Sequence, residues 1–84
     1  MSLRVSVLTP ESTAFEGEAD QVVAPAWDGE MGILPGHAPM MALLGEGPLR
    51  VTSGGGTSTF RIARGFLQVA DDVVSIMTEE ASAA

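Results

Sequence analysis

His37 is the one histidine of the chain, and imidazole has the widest chemical reach of any side chain present. As a general base it would need a nucleophile on one side and an orienting carboxylate on the other. Serine and threonine are plentiful, but no Gly-x-Ser-x-Gly elbow occurs. As a metal ligand His37 would have to recruit carboxylates such as Asp28 and Glu30, because there is no cysteine. One histidine without thiolates is a poor donor set. Glu16, Glu18 and Asp20 fall at i, i+2 and i+4, so a strand would carry all three on one face. A glycosidase needs a substrate cleft between its two acids, which is hard to build in 84 residues. Gly54-Gly55-Gly56 lacks the lysine and following helix that a phosphate loop requires. The bland readings are a structural or interface histidine, a solvated acidic face and a hairpin tip. A small β-barrel binding protein or metalloenzyme using His37 stands as the alternative to a non-enzymatic role.

The elements that would position these residues alternate with period two. Leu3, Val5 and Val7 enclose Arg4 and Ser6. Leu49 and Val51 flank Arg50, Phe60 and Ile62 flank Arg61, Leu67 and Val69 flank Gln68, and Val74 and Ile76 flank Ser75. Such alternation predicts strands with one dry and one wet face. Turn signals at Thr9-Pro10-Glu11, Trp27-Asp28-Gly29, Gly45–Pro48, Gly54–Gly56 and Asp71-Asp72 cut the chain into short pieces. Their spacing predicts an all-β fold, an antiparallel sandwich or barrel. A short helix is conceivable only over Thr78–Ala84, where it would be marginal. The length predicts a single domain over residues 1–84 with a small core.

Acidic residues outnumber basic ones 11 to 4, giving a net charge of -7, and all four cations are arginine. A nucleic-acid partner is excluded on that balance, since phosphates require a basic face. The apolar stretch Met40–Leu44 is far shorter than the ~18–20 residues of a membrane helix, and no signal peptide follows Met1-Ser2-Leu3-Arg4. The expectation is a chain without direct membrane insertion that could still dock on a membrane complex.

One segment stands apart. Gly29–Leu44 packs three glycines, two prolines, the histidine and a methionine-containing apolar tail into sixteen residues. Pro35 and Pro39 cannot lie in a central ladder, so they impose irregular backbone there. Such irregularity points to a binding surface, and Met40 and Met41 supply adaptable packing groups.

Gly29-Glu30-Met31-Gly32-Ile33-Leu34-Pro35-Gly36-His37-Ala38-Pro39 closely resembles the signature of the epsilon subunits of F-type ATP synthases. The resemblance extends over most of the chain, from Leu3, Val5, Val7 and Thr9-Pro10-Glu11 to Gly65-Phe66-Leu67-Gln68-Val69 and Val73–Thr78. Arg64 stands where the family usually has glycine, and Gln68 where glutamate is usual. The resemblance implies a flattened sandwich of about ten short strands and a non-catalytic rotor subunit without a cofactor. It implies a c-ring interface at Asp28, Gly29, Glu30 and Met31, and a gamma-subunit interface at His37, Ala38, Pro39, Met40 and Met41. Arginine is usual in the family's ring loops, which the acidic hairpin would complement. A peripheral position on the cytoplasmic face of the bacterial inner membrane and a monomeric isolated state are expected. Most family members continue into a C-terminal helical hairpin that carries inhibition, and no such inhibition is expected of a chain ending at Ala84. Proton and sodium coupling are equally compatible with the sequence.

Overall fold

The computed structural model describes residues 2–83. These residues form ten strands and no helix. They are β1 (Leu3–Leu8), β2 (Thr13–Ala19), β3 (Gln21–Ala26), β4 (Gly29–Ile33), β5 (Met40–Leu44), β6 (Gly47–Ser53), β7 (Gly56–Ile62), β8 (Gly65–Ala70), β9 (Val73–Thr78) and β10 (Ala81–Ala83). The period-two positions decide which face is dry. Leu3, Val5, Val7, Leu49, Val51, Ile62, Leu67, Val69, Val74 and Ile76 are all buried and belong to one core. Each such aliphatic side chain contributes roughly 1.5–3 kcal/mol when fully withdrawn from water.

The strands run in the order β10-β7-β6-β3-β5-β8-β9-β1-β2, with β4 on β3. The ladder turns a corner between β3 and β5, which share the single register pair Ala26 and Leu44. Two further bonds hold that corner: Gly45 N–H donates to Pro25 O at 2.8 Å, and Trp27 N–H to Leu43 O at 3.1 Å. Pro25 has no N–H to offer, so its place beside the corner leaves no donor stranded. Near the ladder's two ends Phe15 of β2 meets Phe60 of β7 edge-to-face, with ring centroids 5.9 Å apart. The sheet thus curls over its own core as a flattened, nearly closed sandwich.

Two expectations change. Pairing is antiparallel throughout except between β1 and β9, which are parallel in register Arg4–Val73 to Leu8–Met77. The Thr78–Ala84 segment is not helical in its described part. β9 runs through Thr78, and Ala81–Ala83 pairs with β7 from Ile62 to Phe60. The Thr78 hydroxyl is buried 2.9 Å from Ala63 O and 3.0 Å from Glu80 O. Glu79 N–H donates to Arg64 O at 3.0 Å and Ala63 N–H to Glu80 O at 3.1 Å. These tertiary bonds outweigh the helix preference of a run too short to nucleate one.

Candidate docking surface

β3 and β4 form a two-residue hairpin whose tip is Trp27-Asp28, closed by the pair Ala26 and Gly29. Gly29 adopts φ +136°, a conformation closed to side-chain-bearing residues, which allows the tight return. Trp27, Asp28 and Glu30 all face solvent, and Trp27 is 71% exposed. Glu30 Oε2 accepts from Arg50 Nη1 at 3.3 Å, so one of the two hairpin charges is partly compensated within the domain. Asp28 has no ion-pair partner among the described residues.

Leu34–His37 is a turn in which His37 N–H donates to Leu34 O at 3.1 Å. Pro35 at the first central position and Gly36 at the second, with φ +88°, are the residues a type II turn demands. His37 Nδ1 lies 2.7 Å from Ala38 O, which can only accept, so the ring donates there. Asp28, Glu30 and His37 do not converge, and among the described residues no three His, Asp or Glu side chains could hold one metal ion. The metalloenzyme alternative has no geometric support.

Residues expected at the two interfaces lie side by side. Asp28–Met31 and Met40–Met41 line one groove with Trp27 and Leu43. Met31 and Met40 pack partly onto the core, whereas Met41 points outward and is 65% exposed. His37, Ala38 and Pro39 lie in the irregular segment that leads into β5.

Sequence reasoning missed the larger part of the surface. Strand register places Leu43 opposite Phe66, Phe66 opposite Met77, and Met77 beside Leu8. All four stand on the outer face, in phase with Gln68 and Ser75 rather than with buried Leu67 and Ile76. Leu43 is 63% exposed and Phe66 37% exposed, with Met41 and Trp27 adjoining at the corner. The signal was available: alternation predicts polar residues at 43, 66 and 77, and each is large and apolar. Contiguous exposed apolar surface on a small domain marks a site of association.

A β-sandwich with an apolar outer face and an acidic exposed hairpin has the surface of a docking domain. Residues 2–84 match the family described as ATP synthase, Delta/Epsilon chain, beta-sandwich domain. The chain belongs to that family. It is 46% identical over 81 residues to the ATP synthase epsilon chain of Rhodopirellula baltica, an alignment covering 96% of this chain and 63% of that one. It is 42% identical over 82 residues to the ATP synthase epsilon chain of Frankia casuarinae, with 96% of each chain covered. It spans about three fifths of the length of several other epsilon chains that it matches. In a Euglena gracilis mitochondrial ATP synthase structure comprising OSCP, F1 and c-ring, one chain superposes with TM-score 0.90 at 28% identity. The match covers 98% of this chain and 53% of that one. A chain of the Tetrahymena thermophila mitochondrial ATP synthase central stalk and c-ring shares the fold, with TM-score 0.79 at 17% identity. Epsilon chains are non-catalytic subunits, so the expectation of an accessory role rather than an enzymatic one stands.

Proposed function

We propose that this domain is a rotor element of a bacterial F-type ATP synthase. It docks its outer apolar face on the gamma subunit and presents the Asp28–Met31 hairpin to the c-ring. The observation that carries this reading is the unbroken row Leu43–Phe66–Met77–Leu8 beside Met41, on a domain of the ATP synthase epsilon type. Leaving that much apolar area in water is unfavourable, and a structured partner relieves it. The flanking His37–Pro39 segment completes the gamma-facing side. The hairpin is chemically different: short, exposed and acidic, it suits the arginine expected in polar loops of the ring. Torque then passes through a sandwich whose strands are bonded around nearly the whole circumference. The assembly lies peripheral to the membrane, and we place it on the cytoplasmic face.

Mixing purified gamma with this chain at micromolar concentration and sizing the mixture tests the reading. The expected result is a single 1:1 peak from a chain that is monomeric alone, and separate elution of the two would overturn it. A second expectation concerns the hairpin. Glu30→Lys removes the 3.3 Å pair with Arg50, but both side chains are about half exposed, so the fold loses less than about 1 kcal/mol. Association with the c-ring should weaken, most visibly at low salt, where exposed charges are least screened. Unaltered ring binding and coupled synthesis at low ionic strength would argue against an electrostatic role for the hairpin.

A further inference from the structure

Gly36 N–H donates to the carboxylate Oδ1 of Asp72 at 2.7 Å, across 36 residues of chain. Asp72 sits in the two-residue turn between β8 and β9, where Asp71 and Asp72 have φ 52° and 61° and Ala70 pairs with Val73. Two successive left-handed residues make this a type I′ hairpin, which aspartate tolerates better than most side chains. The Asp72 backbone is also engaged, because its carbonyl accepts from Arg4 N–H at 2.8 Å. One residue therefore joins the start of β1, the β8–β9 turn and the Pro35-Gly36 turn.

The type II turn explains why Gly36 needs this acceptor. Its closing bond uses His37 N–H, so the Gly36 N–H is left pointing away from the turn. Among the described residues this carboxylate makes the one hydrogen bond that ties the irregular segment Leu34–Pro39 to another part of the fold between β4 and β5. A charge-assisted bond of 2.7 Å is among the stronger kinds. We propose that Asp72 is a positioning residue: it fixes the Pro35–Pro39 segment, and with it His37, in the conformation that the gamma subunit binds. The inference rests on the reading that this segment faces gamma, and Asp72 acts through Gly36 rather than by touching the partner.

Asp72→Gly and Asp72→Asn separate the tether from the turn. Glycine accepts φ 61° without strain but has no carboxylate, so the hairpin survives and the tether does not. Asparagine tolerates the same backbone and keeps an acceptor oxygen aimed at Gly36. Amide exchange on the free domain should show Gly36 protection lost in Asp72→Gly and largely kept in Asp72→Asn. Titration with gamma should show affinity about tenfold weaker for Asp72→Gly, because only part of the population holds the competent loop, and within about twofold of the parent for Asp72→Asn. Equal affinity for parent and Asp72→Gly, or equal loss in both variants, overturns the proposal. Absence of gamma binding by the parent chain overturns the gamma reading instead. The tether itself is then judged on exchange, where unchanged Gly36 protection in Asp72→Gly would refute it.

Discussion

Gly65→Ala is expected to remove about 3 kcal/mol of folding stability, read as a lower urea midpoint. A Cβ at Gly65 would stand 1.9 Å from Met77 O and 2.8 Å from both Met77 C and Thr78 Cα. These are backbone atoms of β9, so no side chain can swing aside. Relief requires β8 and β9 to separate where Gly65 pairs with Thr78, next to the Phe66–Met77 pair. That movement also disturbs the pocket holding the Thr78 hydroxyl against Ala63 O. Overpacking typically costs 1–3 kcal/mol, and a wholly backbone obstruction belongs at or above the top of that range. Against the roughly 0.05–0.15 kcal/mol per residue typical of native domains, such a loss is a large share of the total. Gly54→Ala is the control: nothing lies within 4 Å of its added Cβ, so stability should stay within about 0.5 kcal/mol. Equal stability of the two variants would show that the β8–β9 approach yields easily.

Leu43→Glu is expected to weaken gamma binding by about 30-fold or more while leaving the domain folded. Leu43 is 63% exposed, lies opposite Phe66 and has Trp27 bonded to its carbonyl. A carboxylate there faces water in the free domain, so the fold loses at most about 1 kcal/mol, chiefly through strand propensity. In the complex the same carboxylate would be buried against apolar surface without a partner, which is strongly unfavourable. Truncating or reversing a central interface anchor commonly costs 2 kcal/mol or more, and each 1.4 kcal/mol is tenfold in affinity. An affinity drop of about 30-fold or greater is therefore expected by calorimetric titration. Thr57→Glu, at an exposed position on β7, should bind like the parent. Equal gamma affinity for Leu43→Glu and the parent would remove the apolar row from the interface.

The strands were legible because side-chain period and burial report the same physics. Leu3, Val5 and Val7 are buried and Arg4 is exposed, as their alternation requires. The turns at 27–29, 54–56 and 71–72 were legible because glycine and aspartate supply backbone conformations that other residues resist. What stayed hidden depends on register between distant strands. Large apolar residues at wet-face positions 43, 66 and 77 can be seen segment by segment, but the Leu43–Phe66–Met77–Leu8 row exists only once four strands are aligned. The bond from Gly36 to Asp72 is hidden for the same reason. At residues 81–83 the local preference pointed the other way, and pairing with β7 decided the matter. The departures at Arg64 and Gln68 fall on exposed positions, whereas Gly65 carries the steric requirement.

The parallel pairing of β1 with β9 also governs how the domain is made. β1 lies between β2 and β9, so its local hairpin with β2 can form early while its other edge waits for a strand from the opposite end of the sequence. Until β9 arrives, Val5 and Val7 have only half their cover, and a row of backbone donors and acceptors stands open. Closing so long a loop gains nothing until the final strands dock, which places this topology among slow folders, on the millisecond-to-second scale. On the ribosome β1 emerges well before β9 and is thus among the last strands of this domain to be sealed. The unsealed edge of β1 is the place where a nascent chain would pair with the wrong neighbour.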